Sequence, residues 1–327
     1  MWFEDIITIE NIYQAWLDFS KRKRNKQDVK FFAMNLEDEL ISIYTDLSND
    51  RYVHRSYSRF IVHDPKRREI HKAAVRDRVV HRLVYNALFP IFHRRWLDCS
   101  FSCRPGFGQH RSIKAARRAL GQGTKNWSYQ CWVLKCDVEK FFDSIDHHIL
   151  LSLLTRCVFD ERLSNLLKQI IESYSTNDGH GIPIGNLTSQ LFANVYLHEL
   201  DRFIKHDLTI KQYIRYADDF LIMCEIKEDA FDLMALIVSF LENQLKLQLH
   251  PKKVILRKAS WGIDWLGRVL LIDYQILRPS TRQRMMCHIH NYGTLTSYNG
   301  LLAGTARREL DRQLLQSLVS CGDYKVR

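Results

Sequence analysis

The sequence has no CxxC pair, no apolar run approaching the roughly 18 residues that span a bilayer, and no linker rich in proline, glycine or serine. Proline and glycine number 6 and 13 among 327 residues, and neither a low-complexity tract nor an internal repeat is present. These absences exclude a transmembrane helix, a long flexible linker and a repeat array. The opening residues, MWFEDIITIE, are acidic and amphipathic and lack the basic start and apolar core of a secretory signal. An intracellular, cytoplasmic location is therefore expected. Eight cysteines are scattered at Cys99, Cys103, Cys131, Cys136, Cys157, Cys224, Cys287 and Cys321. His93, Cys99, Cys103 and His110 form one cluster, but its spacing fits no common zinc pattern, so reduced, partly buried thiols are expected.

What is present is ordinary in amount and uneven in placement. Hydrophobic residues make up 46% and charged residues 26%, enough for a large core and two or three compact units. The net charge is +11, and residues 51–118 hold 17 Lys and Arg against 4 Asp and Glu, while the rest of the chain holds 31 against 33. One segment supplies the whole excess, the footprint expected for phosphate backbones. A solvated basic surface, or one facing anionic lipid, would read the same way.

Residues 1–50 read as helices, with Leu36, Leu40 and Ile43 on one face and the basic run KRKRNK as a turn. Residues 74–96 predict a helix with Val79, Val80, Leu83, Val84, Ala87 and Leu88 inward. CWVLKCDV (131–138) predicts a strand ending in aspartate, followed by a helix capped by Asp146. Helices are predicted at 160–174, 187–208 and 228–246, and GHGIPIGN (179–186) as loop. KQYIRYADDFLIMCE (211–225) reads as two apolar strands around an acidic turn, and 261–278 as a second hairpin. The last 50 or so residues read as helical. Hairpins separated by helices argue an α+β fold with an antiparallel sheet.

Asp218 and Asp219 sit between YIRYA and FLIMC. Two carboxylates inside an apolar segment are costly unless a cation neutralises them, and a hard divalent ion with oxygen ligands does so. An exposed Asp-Asp turn is the equal alternative for these two alone. Asp137 ends an equally apolar strand; if the two strands are neighbours, three carboxylates converge and make a two-metal site.

RYADDF resembles the catalytic YxDD box of reverse transcriptases, and LKCDVEKFFDSIDH resembles the first metal-aspartate motif of the same family. HPKK (250–253) and WLG (265–267) resemble two later motifs. VRDRVVHRLVYNALFPIF and SFSCRPGFGQHRSIKAAR resemble the fingers motifs of bacterial and group II intron-type enzymes. The resemblance runs in order from about residue 60 to 278. It implies a right-hand polymerase with an N-terminal helical extension at 1–50, fingers at 51–125 and 148–185, palm at 126–147 and 186–275, and a short helical thumb at 276–327. It implies an RNA template, a DNA or RNA primer, deoxynucleotides and two Mg²⁺ ions, or Mn²⁺, held by Asp137, Asp218 and Asp219. By the same resemblance Phe142 is the sugar gate that excludes a 2′-hydroxyl, with Phe141 in the core. Lys66, Arg68 and Arg76 hold the triphosphate, Arg67 being an equal candidate by charge. Lys253 protonates pyrophosphate, and Gly267 lets the primer backbone approach. Ile184, Gly185, Gln190 and Tyr216 line the nucleotide site.

IPIGNLTSQ (182–190) departs from most relatives, which have glutamine in place of Ile184 and proline in place of Gln190. This form, and SYNGLLAG (297–304), resemble the enzymes of diversity-generating retroelements, bacterial or phage-encoded, which copy RNA with errors at adenines. That branch implies a small, basic, helical accessory protein as partner. The short stretch after residue 280 leaves no room for a maturase or nuclease domain, which sets a self-splicing-intron protein lower. Another bacterial reverse transcriptase (retron, phage-defence or intron-derived), or an inactive RNA-binding protein of polymerase fold, are the alternatives.

Overall fold

The computed structural model describes residues 2–63, 67–288, 300, 302–306 and 311–313. Four helices open the chain: α1 (Phe3–Ile6), α2 (Ile9–Ser20), α3 (Gln27–Met34) and α4 (Leu36–Ser48). Thr8 caps α2 by accepting the Asn11 N–H at 3.2 Å. Leu40 and Ile43 are buried as expected, while Leu36 is half-buried against the same core.

β1 (Ser58–Val62) and β2 (Arg68–Lys72) then pair as an antiparallel hairpin, with Val62 opposite Arg68. The sequence reading did not anticipate it. Its β1 residues are all exposed, so there is no alternation of buried and exposed positions to detect. α5 (Val75–His93) buries Val79, Val80, Leu83, Val84 and Leu88 and packs along α2. In α6 (Gln109–Gly123), Ile113, Ala116 and Leu120 point inward, and Arg111, Lys114 and Arg118 form an exposed basic stripe at helical spacing.

The central segment runs β3 (Trp132–Asp137), α7 (Phe141–Ser144), α8 (His147–Thr155), α9 (Glu161–Glu172) and α10 (Leu187–Arg202), which continues as a π-turn to Asp207. Asp146 caps α8 as predicted, accepting the Ile149 N–H at 2.9 Å. β4 (Tyr213–Tyr216), β5 (Asp219–Cys224), α11 (Lys227–Gln244) and β6 (Ile255–Lys258) follow. The strands form one antiparallel sheet in the order β4-β5-β3-β6. The 261–278 segment folds as three strands rather than the predicted hairpin: β7 (Ile263–Trp265), β8 (Arg268–Leu270) and β9 (Gln275–Leu277). The added strand has three residues, too few to show a period. α12 (Pro279–His288) follows.

Three strands of the sheet, β3, β4 and β5, are buried on both faces, and β6 forms a partly exposed edge. Val133, Ile214, Leu221 and Met223 face a core shared with Ile113 and Leu120 of α6 and with Trp265 and Leu270. Leu134, Cys136, Phe220 and Ile222 face the larger core, built from α2, α5 and α8–α11. A sheet covered on both sides reads in sequence as continuous apolar runs, which is what CWVLKCDV and FLIMC are. No helix among the described residues is long and apolar enough to cross a membrane.

Candidate active site

The strand register brings the aspartates together. In the β3–β5 ladder Asp137 lies directly opposite Asp219. In the β4–β5 hairpin Tyr216 pairs with Asp219, leaving Ala217 and Asp218 as a two-residue turn. That turn holds Ala217 at φ +56°, a left-handed conformation sparse for a residue with a Cβ. The HPKK segment is pinned to the same strand end. His250 N–H donates to the Asp137 carbonyl at 2.8 Å, Lys253 N–H donates to the His250 carbonyl at 3.0 Å, and Lys253 Nζ lies 2.5 Å from Asp137 Oδ1.

The site is electrostatically uncomfortable. The Asp219 carboxyl is raised to about 6, by burial first and also by the charges of Asp137 and Asp218, with Lys135 opposing. Burial also raises Asp218, helped by the Asp137 charge and opposed by Lys253 and Arg68. Among the described residues, no three His, Cys, Asp or Glu side chains are gathered closely enough to enclose an ion. The pointers to a cation are instead two desolvated carboxylates, a third facing one of them across the ladder, and an ammonium already drawn onto that third. The donors are hard oxygens, the set that suits Mg²⁺ or Mn²⁺.

The other predicted residues separate into those the fold gathers here and those it does not. Arg68 opens β2 and lies near enough to Asp218 to draw its pKa down. Phe141 is buried, and Phe142 is half-buried against it, ring centroids 5.4 Å apart at 67°. The Ile182 N–H donates to the Phe142 carbonyl at 2.8 Å, so the loop carrying Ile184 runs alongside Phe142. Ile184 is half-buried and its carbonyl accepts the His71 N–H at 3.1 Å, which joins that loop to β2. Gly185 sits at φ +112°, and a Cβ there would meet Ile70 Cγ2 at 2.7 Å, so glycine is required where loop and hairpin touch. Tyr216 is half-buried against the smaller core, and Gln190 is exposed in the first turn of α10. Leu266 and Gly267 have φ of +49° and +80° in the β7–β8 turn, the pattern of a type I′ hairpin. Lys66 lies outside the described residues.

Arg76 is not brought to the carboxylates. It is buried, donating to Ser42 Oγ at 3.1 Å and to Asp46 Oδ2 at 2.5 Å, both on α4. Arg78 likewise pairs with Asp28 of α3, as does Lys72 at 2.7 Å. Part of the basic segment thus binds the N-terminal helices rather than facing outward. The seven described cysteines are free thiols, and the His93 ring stacks on Phe89 at 4.9 Å.

Two residues of the site escaped the sequence reading. Asn186 clips the hairpin, its Nδ2 donating to the His71 carbonyl at 2.9 Å and its Oδ1 accepting the Ala73 N–H at 3.4 Å. Arg215 is 1% exposed in β4, paired with Asp201 of α10 at 0%. An arginine between Ile214 and Tyr216 is itself a signal, because a buried charge demands a partner.

Comparison with known proteins bears on this site. The profile of the family described as "Reverse transcriptase (RNA-dependent DNA polymerase)" matches residues 63–270. The group II intron-encoded protein LtrA of Lactococcus lactis is 24% identical, covering 76% of this chain and 51% of its own. Protein YkfC of Escherichia coli is 24% identical, covering 61% of each. The mitochondrial nuclear intron maturase 1 of Arabidopsis thaliana is 22% identical, covering 71% and 46%. The chain spans about half the length of the curated relatives it matches. Among solved structures, an apo telomerase of Candida tropicalis aligns at TM-score 0.48 and 13% identity, covering 68% of this chain and 55% of its own.

Proposed function

The chain belongs to the reverse transcriptase family, and from that we propose that it is an active RNA-directed DNA polymerase, extending a DNA or RNA primer on an RNA template with deoxynucleotides. The observation that carries this is the register setting Asp137 opposite Asp219, with Asp218 in the adjoining turn and Lys253 on Asp137. The α+β, right-hand fold is read with fingers at 51–125 and 148–185, palm at 126–147 and 186–275, and thumb at 276–327.

Asp137, Asp218 and Asp219 would hold the metal. Mg²⁺ or Mn²⁺ bound there supplies an acidified primer 3′-hydroxyl and a neutralised leaving pyrophosphate. Arg68 holds the triphosphate from the hairpin side, where its charge opposes that building on the phosphates. Lys66 shares that role by resemblance. Lys253, held at the strand end, keeps a proton for the departing pyrophosphate. The half-buried Phe142 ring packs beneath the sugar and leaves no room for a 2′-hydroxyl.

A finer reading is that the enzyme is error-prone at template adenines and serves a diversity-generating retroelement, working with a small basic helical accessory protein. Support comes from IGNLTSQ and from Ile184, whose apolar side chain has no directional bond to offer an incoming sugar. A displaced base then loses less, and about 1.4 kcal/mol suffices for a tenfold change in discrimination. The similarity to intron-encoded proteins favours a second reading, an intron-derived enzyme of ordinary fidelity.

The test is extension of a primer on RNA with each nucleotide set, followed by sequencing of the cDNA. Template-directed deoxynucleotide incorporation is expected; RNA binding without extension would instead identify an inactive RNA-binding protein. Errors concentrated at adenines, and reduced by Ile184→Gln, support the retroelement reading. A uniform, low error rate supports the intron-derived one.

A further inference from the structure

The turn carrying Asp218 is held from beneath by a side chain that the proposed chemistry does not use. All five N–H bonds of the Arg215 guanidinium have acceptors. Nε donates to Asp201 Oδ1 at 2.7 Å, and Nη2 donates to Asp201 Oδ2 at 2.6 Å and to Ser100 Oγ at 2.9 Å. Nη1 donates to the Ala217 carbonyl at 2.9 Å and to Asn194 Oδ1 at 3.4 Å. The Tyr213 hydroxyl completes Asp201, donating to Oδ1 at 2.7 Å.

An ion pair this deeply buried is weak grounds for stability, since well-packed apolar residues often do as well or better. What it supplies here is geometry. The Ala217 carbonyl belongs to the left-handed residue that turns the chain from Tyr216 to Asp218. Such a conformation persists only where the surroundings over-determine it. The main chain of Arg215 and its partner Asn194 are fixed in turn. Arg215 N–H donates to the Cys99 carbonyl at 2.8 Å, the Phe101 N–H donates to the Arg215 carbonyl at 3.0 Å, and Asn194 Nδ2 donates to the Ser102 carbonyl at 3.0 Å. The turn is thereby tied both to α10 and to the 99–102 segment.

We propose that Arg215, oriented by Asp201, is a positioning residue that clamps the Ala217 turn and so presents Asp218 and Asp219 to a divalent cation. The proposal rests on the reading of those aspartates as metal ligands. Lysine at 215 keeps the charge but loses the planar fork, so it cannot hold Asp201 and the Ala217 carbonyl together. Glycine at 217 adopts positive φ without help, so it lessens the need for a clamp.

The experiment measures Mn²⁺ binding to the full chain by electron paramagnetic resonance, without nucleic acid or nucleotide, alongside thermal melting in chelator. Arg215→Lys is expected to weaken Mn²⁺ binding about tenfold or more, the usual effect of losing a partner behind the ligands. Ala217→Gly in the Arg215→Lys background is expected to recover part of that loss. A merely structural arginine would lower the melting temperature, leave the Mn²⁺ affinity of the folded protein unchanged and be indifferent to Ala217→Gly; that pattern overturns the proposal. Wild-type protein that binds no Mn²⁺, or Asp218→Asn protein that binds it equally well, would bring down the metal reading and the proposal with it. If Arg215→Lys does not fold, Asp201→Asn is read in the same way. If neither folds, the pair is a folding element and the proposal is wrong.

Discussion

The Asp137–Asp219 end of the central sheet and the β1–β2 hairpin supply the two halves of the proposed site, and they are built on different principles. Strands β3, β4 and β5 are covered on both faces, and Arg215 and Asp201 fix the turn between the last two. The hairpin exposes every residue of β1 and is held at its base, by the two Asn186 bonds, the Ile184 carbonyl accepting the His71 N–H, and the Lys72–Asp28 ion pair. Groups that bind metal need a fixed frame, because preorganisation is what makes their charge effective. Groups that greet a diffusing triphosphate gain from an element with few buried contacts, the kind that opens at low free-energy cost.

The comparison breaks most visibly at the two phenylalanines. Phe141→Ala is expected to destabilise the chain by about 3–5 kcal/mol, because a buried ring leaves a cavity. Phe142→Ala is expected to melt near the wild type and to admit ribonucleotides. Denaturant unfolding and the ratio of ribo- to deoxynucleotide incorporation decide both; an unchanged ratio misplaces the gate.

Next comes pH. Asp219 has a folded pKa raised to about 6, above the usual carboxylate value, so the folded chain keeps a proton that the unfolded chain has released. Its contribution is full below about pH 4 and is lost as pH rises to about 6. In chelator, stability should therefore fall across that window, and Asp219→Asn should remove about 2 kcal/mol of the fall. A flat profile in the wild type would mean that the frame does not strain its carboxylates.

On the hairpin side, Asn186→Ala is expected to raise hydrogen exchange in β1 and β2 by an amount equivalent to about 1–2 kcal/mol, leaving β3 and β5 protected. Equal loosening of both would erase the distinction. The smallest effect concerns charge. Neutralising Arg111, Lys114 or Arg118 should flatten the salt dependence of RNA affinity, its log–log slope falling by about 0.7–0.9 for each phosphate that no longer meets a cation. Neutralising Arg76 should leave that slope alone and reduce stability, since its charge faces Asp46.

Much of the frame was legible because burial on both faces wrote itself into apolar runs. The strand ending in Asp137, the hairpin around Asp218 and Asp219, the Asp146 cap and the inward face of α5 all follow from pattern alone. That the aspartates would lie side by side did not follow from pattern, since register between strands so far apart in the chain is set by packing; the family resemblance supplied it. The β1–β2 hairpin was invisible because exposed strands carry no alternation. Arg76 was placed on the triphosphate by the family resemblance, whereas Asp46, the acid it meets in the fold, sits 30 residues away on another helix and cannot be assigned by spacing. Arg215 was overlooked for a similar reason. Its partner Asp201 lies on another element, and only the fold buries the two together.

Three aspartates at one sheet end are what would make this chain a polymerase. The most direct measurement is single-nucleotide extension of a primed RNA template in Mg²⁺ by wild-type, Asp137→Asn and Asp218→Asn proteins, with folding and RNA binding checked in parallel. Extension is expected from the wild type and none detectable from either variant, with fold and RNA affinity retained. Near-normal extension by either variant would contradict that role for the aspartates.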